Sequence, residues 1–299
     1  MDVVNRRGDA GEGWRLQLAR KMALPYARDE NARAVLIAGS VGCGTDDRWS
    51  DIEIDVYYDR PPTETERRAA AKASGGDLVG LDEDEVEWEE RLSLGGFHAH
   101  TSTFLASTLE RYIHDVVDEC STDAFAQSRL FSLLHAVPVE GAAEVTVWRA
   151  RAARYPDGLQ EAMLAETLRF AGFHYMARML ADRGDVLLLA DILVEVGGRL
   201  VSALLALNRI YLPTPDYAVW RTKGMDEMID RMAIKPEDLS ARLKGALRGD
   251  PAEGVAAFER LIDETFALVA VHAPAFDAEA HTSPPPNQRV PWDASPLNG

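Results

Sequence analysis

The stretch that decides the fold is VLIAGSVGCGTDDRWSDIEIDV, residues 35–56. It opens within a compact apolar run, residues 34–38, which predicts a buried strand. It ends within the segment DIEIDVYY, residues 51–58, in which acidic and apolar residues alternate. Because side chains on a strand point to opposite faces in turn, the acids share one face of a second predicted strand and the apolar residues share the other. The acids are Asp51, Glu53 and Asp55.

Gly39 and Ser40 end the first strand and begin the connection to the second. Glycine lets the backbone approach a ligand closely, and serine offers a hydroxyl and an N–H, so this turn can cradle phosphate oxygens. Asp51 and Glu53 repel each other unless a cation lies between them, and carboxylate oxygens suit Mg²⁺. A phosphate cradle beside a carboxylate pair is typical of phosphoryl or nucleotidyl transfer.

Two other interpretations of the same stretch are a dinucleotide-binding turn and a solvated edge strand. A dinucleotide-binding turn needs glycines spaced G-x-G-x-x-G that open a helix, whereas GSVGCG, residues 39–44, has the order G-x-x-G-x-G and is soon followed by a strand. We therefore reject it. The other alternative is that the three acids form only the solvated face of an edge strand, which is common in antiparallel sheets. The Gly-Ser turn just upstream argues against that alternative.

A family resemblance rests on these residues. Gly39-Ser40-Val41-Gly42-Cys43-Gly44-Thr45, followed by Trp49-Ser50-Asp51-Ile52-Glu53-Ile54, resembles the signature of the DNA polymerase β-like nucleotidyltransferase superfamily. The family pattern is Gly-Ser, a short spacer and Asp-x-Asp/Glu. The chain looks most like the antibiotic-adenylyltransferase type, which joins a minimal catalytic domain to a helical one. Residues 183–185 and 207–213 are similar to segments of those helical domains, so the resemblance spans most of residues 14–275.

The resemblance implies a fold and a reaction. The fold is α+β, with a small mixed-sheet nucleotidyltransferase domain followed by an all-helical bundle domain. The cofactor is Mg²⁺, the co-substrate is ATP or another nucleoside triphosphate, and a substrate hydroxyl attacks the α-phosphorus. Gly39 and Ser40 would hold the β- and γ-phosphates. Asp51 and Glu53 would bind the metal and act as catalytic residues.

The sequence departs from the family at the third carboxylate. Relatives carry it on a later strand, whereas this chain has Phe97-His98-Ala99-His100-Thr101 there. The acid is replaced by His98 or, in better agreement with the pattern, by His100. Imidazole is a poor ligand for Mg²⁺, but it could accept a proton from the substrate hydroxyl. His100 is therefore a candidate catalytic base, and the alternative is that it faces the sheet surface without a role.

Further candidate residues follow the long apolar helix of residues 186–207. Arg209, Tyr211 and Lys223 could reach the triphosphate from the helical domain. Tyr211 could instead pack the junction between helix and loop.

Domain limits follow from the change to a helical pattern near residues 105–140. We predict a nucleotidyltransferase domain over 14–112, a helical domain over 113–276, and flexible termini at 1–13 and 282–299. Inside the first domain the pattern predicts further elements, which are helices at 14–27 and 63–73 and a hairpin about Gly95–Gly96.

The acidic run DEDEVEWEE, residues 82–90, has two interpretations. It predicts a solvated edge strand with Glu85, Glu87 and Glu89 on one face, where the charges discourage pairing with other chains. The alternative is a docking surface for a cationic substrate.

The charge and the composition limit the classes of binding partner that we expect. The formal net charge is −17, so phosphate backbones and anionic lipid would be repelled, and neither nucleic acid nor membrane is an expected partner. A cationic acceptor is compatible with this charge. Two cysteines and no apolar leader predict a cytoplasmic protein. The long apolar helix would allow a homodimer.

The leading hypothesis is a Mg²⁺-dependent nucleotidyltransferase that adenylylates a hydroxyl of a small molecule, such as an aminoglycoside- or lincosamide-like compound. One alternative is a catalytically impaired relative that works by binding, as an antitoxin-type partner. Another is an adenylyltransferase that modifies proteins.

Overall fold

A computed structural model describes residues 13–170, 172–215, 219–221 and 224–281. Residues 1–12 and 282–299, which the sequence predicts to be flexible, lie outside the described residues. Six described strands form one mixed sheet in the order β3-β4-β5-β2-β1-β6. The strands are β1 (Ala32–Ile37), β2 (Ile52–Tyr58), β3 (Asp77–Glu83), β4 (Trp88–Leu94), β5 (Phe97–Leu105) and β6 (Val137–Glu140).

The described helices surround this sheet or follow it along the chain. They are α1 (Trp14–Ala27), α2 (Gly39–Cys43), α3 (Glu64–Ala73), α4 (Ala106–Ile113), α5 (Ala124–His135), α6 (Ala142–Ala152), α7 (Asp157–Thr167), α8 (Phe173–Arg183), α9 (Val186–Leu207), α10 (Met225–Arg231), α11 (Leu239–Ala246), α12 (Pro251–His272) and α13 (Ala278–His281). A π-helical turn, His114–Asp118, extends α4, and a 3₁₀ turn lies at Val219–Arg221. The mixed sheet and many helices confirm the predicted α+β class.

The strand β2 lies inside the sheet, between β1 and β5. It runs antiparallel to β1 and parallel to β5. An interior strand has neighbours on both sides, so the alternative of a solvated edge strand is wrong for β2. Its apolar residues Ile52, Ile54 and Val56 are buried with α1, whose core-facing side chains recur at helical spacing.

The opposite face of β2 carries the acids. At the carboxyl end of the strand, the helices after β5 cover this face. Tyr57 packs there against Phe104, with ring centroids 5.9 Å apart, and against Trp148 of α6 at 5.5 Å. The acid-bearing face is therefore apolar at one end and polar at the other.

The acidic run 82–90 folds differently from the prediction. β3 ends at Glu83, β4 begins at Trp88, and the Asp84 side chain accepts hydrogen bonds from the N–H groups of Val86 and Glu87, each at 2.8 Å. The single edge strand is therefore wrong, because an Asx-type turn divides the run into a hairpin. β4 pairs with β5 on its other side, which places Glu89 in an interior strand.

The chain divides into two compact units. The first covers Met1–Leu159 and Ile210–Met228, and the second covers Gln160–Arg209 and Ile229–Gly299, each as far as its residues are described. These limits differ from the predicted boundary after residue 112, because α4 to α6 pack on the sheet. The segment after α9 also rejoins the first unit, where the Tyr211 hydroxyl donates to the carbonyl of Ala152 at 2.7 Å.

The second unit contains helices as its described elements, with α9 and α12 the longest at 22 residues each. Asp185 caps α9 by accepting from the N–H of Leu188, and Asp250 caps α12 by accepting from Ala252 and Glu253. Gly184 ends α8 with φ +67°, as its position in the sequence predicts. Within the described part of the chain, every helix is too short or too polar to cross a lipid bilayer.

Arg67 attaches α3 to the hairpin of β3 and β4. Its buried guanidinium donates to the Glu90 carboxylate and to the carbonyl oxygens of Asp82 at 2.6 Å and Glu89 at 2.9 Å. Removing one member of a buried ion pair leaves the other charge without compensation.

We therefore expect Arg67→Met to lower the free energy of unfolding by about 3–5 kcal/mol. The matched control is Arg68→Met, because Arg68 is exposed and pairs only along the helix with Glu64, which predicts a loss of about 0.5 kcal/mol or less. Urea unfolding of both variants measures the difference. Equal losses in the two variants would contradict the role assigned to Arg67.

Candidate functional site

One edge of the sheet collects the residues that the sequence singles out. β1 ends there at Ile37, and β2 and β5 both begin there, because β2 is antiparallel to β1 and parallel to β5. The N–H of Ala38 donates to the carbonyl of Glu53 at 2.9 Å. The turn after β1, the start of β2 and the start of β5 thus meet at the same edge.

The turn itself differs from the prediction in one respect. Gly39–Cys43 forms a five-residue helix, α2, where the sequence argument expected no helix. The rejection of a dinucleotide-binding unit still holds on other grounds. That unit joins parallel strands by a crossover helix, whereas β1 and β2 are antiparallel neighbours.

Gly39 meets two steric requirements. Its φ is +55°, a left-handed conformation that costs other residues roughly 1 kcal/mol or more. A Cβ atom at this position would also lie 2.4 Å from the carboxyl carbon of Glu53. The left-handed backbone favours glycine here, and a larger residue would in addition displace the end of the Glu53 side chain, a contact that the sequence alone did not show.

The Glu53 carboxylate is held among like charges. Burial and, to a smaller extent, the neighbouring carboxylates of Asp55 and Asp51 raise its pKa to about 7, although Arg129 and His100 oppose the increase. Of the described residues, none donates a hydrogen bond to this carboxylate. Arg129 and His100 compensate its ionised form only in part, because the pKa stays raised, and a bound cation would stabilise that form further.

Asp55 is a residue of this face that the sequence hypothesis did not assign to the site. It is buried, and it accepts a hydrogen bond from the Ser132 hydroxyl at 3.0 Å. Arg129 places a guanidinium nitrogen 3.6 Å from the other Asp55 oxygen. Burial nevertheless raises the pKa of Asp55, and Arg129 and Ser132 oppose that effect. The acid–apolar alternation of residues 51–55 was the available signal for Asp55.

Arg129 comes from α5 and has no local signature in the sequence. Its guanidinium carbon lies 5.2 Å from the ring centroid of Phe104 and 5.7 Å from that of Phe125. These distances suit cation–π contact with both rings. The rings of Phe104 and Phe125 thus hold the guanidinium group of Arg129 beside the acid-bearing face of β2.

His100, the predicted catalytic base, lies on β5. It lies directly opposite Glu53 in the register of β2 and β5. Its Nδ1 is 3.2 Å from a carboxylate oxygen of Glu89, and its Nε2 is 3.6 Å from Asp51 Oδ2. His98, the other candidate, is exposed. The structure therefore brings His100, Asp51 and Glu53 together and adds Glu89 as a partner of the imidazole.

The remaining predicted site residues are distributed differently. Ser40 follows Gly39 at the start of α2 and is half-buried. Arg209 belongs to the second unit, and Lys223 lies outside the described residues. Tyr211 is 3% exposed, and its ring centroid lies 4.9 Å from that of Tyr155. Because its hydroxyl already donates to Ala152, the structure assigns Tyr211 to packing.

The fit of a metal ion can be tested on these donors. The described residues contain no group of three or more His, Cys, Asp or Glu side chains that could hold a metal ion by themselves. Mg²⁺ does not require such a group, because it is usually held by one or two carboxylates together with water and substrate phosphates. Asp51 and Glu53 are hard oxygen donors on one strand face, so they fit Mg²⁺.

Gly39→Ala tests the close approach of the turn to Glu53. Gly95 is the matched control, because its φ is +59° and no atom would lie within 4 Å of an added Cβ. We expect Gly95→Ala to cost about 1 kcal/mol of stability from backbone strain alone. Gly39→Ala should cost at least about 1 kcal/mol more, because the methyl group displaces the carboxylate. Equal losses in urea unfolding would contradict the contact.

The pKa of Glu53 predicts a pH-dependent stability in the absence of divalent ions. Between pH 4.5 and about 7 the folded protein holds a proton on Glu53 that the unfolded chain has released, so stability falls as the pH rises. Glu53→Gln removes this loss. In EDTA, the stability of Glu53→Gln relative to wild type should therefore rise by about 1–3 kcal/mol from pH 5 to pH 8. The exposed Glu85→Gln should show no such trend.

Comparisons with known proteins cover a family model, curated proteins and solved structures. Residues 124–221 match a domain of unknown function, DUF4037, in a segment that contains Arg129 and Ser132. No curated protein matches the chain. Among solved structures, the chain is similar to a nucleotidyltransferase-like protein from Exiguobacterium sibiricum 255-15, with 12% sequence identity and a TM-score of 0.37 over 86% of this chain and 78% of that chain. Neither match assigns a substrate or a reaction, so the function is argued from the site.

Proposed function

We propose that this chain is a Mg²⁺-dependent nucleotidyltransferase that transfers a nucleoside monophosphate, AMP from ATP, to a hydroxyl group of a small molecule. The observation that carries the proposal is the contact between the Gly39 turn and Glu53, with Asp51 and His100 at the same sheet edge. This arrangement puts the predicted phosphate-binding turn directly beside the predicted metal ligands.

Asp51 and Glu53 would hold the metal. Asp51 is partly exposed just before β2, and Glu53 lies against the turn, so the pair presents oxygen atoms at the start of an interior strand. When bound, Mg²⁺ supplies positive charge that stabilises the attacking and leaving oxygens. The raised pKa of Glu53 supports this assignment, because a carboxylate destabilised by burial and by like charges is stabilised by a bound cation.

The turn would bind the triphosphate. Gly39 and Ser40 begin a helical segment whose first N–H groups have no partner within the helix, and Ser40 adds a hydroxyl. The net charge of −17 works against binding an anionic nucleotide, so charge neutralisation by the metal is needed on electrostatic grounds as well. Arg209 and Lys223 stay proposed phosphate contacts, whereas Tyr211 does not.

In the proposed reaction, the acceptor hydroxyl oxygen forms a bond to the α-phosphorus while the bond to the bridging oxygen breaks and pyrophosphate leaves. The hydroxyl proton would pass to Nε2 of His100. In the neutral imidazole that carries its hydrogen on Nδ1, the Nδ1–H group donates a hydrogen bond to Glu89. Nε2 then has a lone pair, on the side of Asp51, that can accept the hydroxyl proton. Glu89 thereby orients the imidazole for proton transfer.

A second candidate function is supported by one observation. The third-acid position holds His100, and the described residues offer no group of three metal-binding side chains. Such a site is also what a catalytically impaired relative would have, one that binds a nucleotide or a partner protein without turnover. The two candidates differ in pyrophosphate release, which only the enzyme produces.

The proposed acceptor is a small molecule that carries hydroxyl groups. An aminoglycoside- or lincosamide-like compound fits the requirement for hydroxyl groups. The excess of 49 acids over 32 basic residues favours a cationic acceptor over an anionic one.

Nucleotide binding and turnover test the proposal in two stages. Calorimetry should detect ATP binding in Mg²⁺ and a loss of at least tenfold in affinity in EDTA. A pyrophosphate-release screen over hydroxylated acceptors should then find turnover. Failure to bind ATP at millimolar concentration would exclude the enzyme, and binding without turnover on any acceptor would favour the impaired relative.

Asp51→Asn should abolish the Mg²⁺-dependent part of ATP binding, because the amide has no negative charge to offer the metal. Asp59→Asn is the matched control, since Asp59 is an exposed carboxylate just beyond the other end of β2. Unchanged binding in Asp51→Asn would refute the metal assignment. His100→Ala should leave ATP binding intact and lower pyrophosphate release by about 10²-fold or more.

A further inference from the structure

Trp49 exposes its indole to an unusual extent. Its exposed fraction is 80%, and among the large hydrophobic residues that the structure describes only Leu187 is more exposed. The guanidinium carbon of Arg48 lies 4.9 Å from the centroid of the indole ring. None of the described aromatic rings packs against Trp49. An isolated exposed apolar residue needs no explanation, so further observations are required.

Hydrogen bonds and an ion pair hold the loop that carries Trp49. The Trp49 N–H donates to Asp47 Oδ1 at 2.7 Å, and the Asp47 N–H donates to the Ser50 hydroxyl at 2.8 Å. Ser50 is buried and returns a hydrogen bond from its N–H to the Asp47 carbonyl at 3.1 Å. Arg15 lies 3.6 Å from Asp46 and attaches the loop to α1. The backbone of Trp49 is therefore held in place before any ligand arrives.

The position of Trp49 links it to the candidate site. It lies two residues before Asp51, so their Cα atoms are at most about 7 Å apart. The loop begins where α2 ends and finishes where β2 begins, so it connects the Gly39 turn to the carboxylate strand. Leu187, by contrast, lies on α9 in the second unit.

The indole is suited to one kind of ligand group. A large flat aromatic surface binds planar rings by stacking, and stacking on a nucleobase tolerates different bases because every base has a π-face. Arg48 supports the ring and adds positive charge in a strongly acidic protein. Because the backbone that carries the exposed ring is already held by hydrogen bonds, the loop loses little conformational freedom on binding, which favours affinity.

We infer that Trp49 is a stacking platform for the nucleobase of the nucleotide bound at the Gly39 turn and the Asp51–Glu53 carboxylates. The inference rests on the proposed function and adds a binding residue to it. Stacking alone selects weakly among bases, so purine nucleotides should bind more tightly than pyrimidine nucleotides by surface area, without strict specificity.

The experiment compares two ligands that differ only in the nucleoside. Calorimetry in Mg²⁺ measures the affinity of ATP and of tripolyphosphate for wild type, Trp49→Ala and Trp49→Phe. We expect Trp49→Ala to weaken ATP binding about tenfold and to leave tripolyphosphate binding unchanged. Trp49→Phe, which keeps an aromatic face, should lie within about threefold of wild type. Leu187→Ala controls for the removal of an exposed apolar side chain and should change neither affinity.

Each other outcome overturns the inference in a distinguishable way. If wild type binds ATP and tripolyphosphate equally, or if Trp49→Ala keeps full ATP affinity, the stacking role fails and the proposed function stands. If Trp49→Ala loses both ligands equally, Trp49 supports the loop and does not contact the base. If wild type binds neither ligand, the proposed function fails and the inference fails with it.

Discussion

Repulsion between carboxylates on one face of β2 is the constraint on which the rest of the site depends. Glu53 and Asp55 are drawn out of bulk water on an interior strand, and burial raises the pKa of both side chains. The neighbouring carboxylates of Asp55 and Asp51 add to the increase at Glu53. The fold compensates Asp55 with a cation and a hydroxyl group, from Arg129 and Ser132. Glu53 is left without a hydrogen-bond donor among the described residues. The free energy that would be recovered by binding a cation is thus concentrated at Glu53.

Sheet topology converts this constraint into a site. Antiparallel pairing of β1 with β2 brings the Gly39 turn against the Glu53 carboxylate, and parallel pairing of β2 with β5 sets His100 opposite it. The opposite face of the same strand is apolar and packs on α1. Alternation along one strand therefore serves two purposes, since one set of side chains stabilises the unit and the other set forms the site.

Local sequence patterns were sufficient to predict the segments whose structure depends on residues near them in the chain. The alternation of residues 51–58, the helical pattern of residues 63–73 and the paired glycines at 95–96 all predicted elements that the structure contains. Prediction failed where the outcome depends on distant partners. The acidic run 82–90 forms a hairpin in which β4 is interior, because β5 pairs with its other side. Glu89 consequently contacts His100, which no local pattern could show.

The α+β class, the position of the Gly39–Ser40 turn and the carboxylate-bearing face of β2 could be predicted from the sequence, because each depends on residues close together in the chain. The contacts of Arg129 and Ser132 with Asp55, of Glu89 with His100 and of the Tyr211 hydroxyl with Ala152 became visible in the folded chain. These contacts join residues far apart in sequence. Their formation depends on which helix covers which face of the sheet, and that choice is made by the packing of the whole unit.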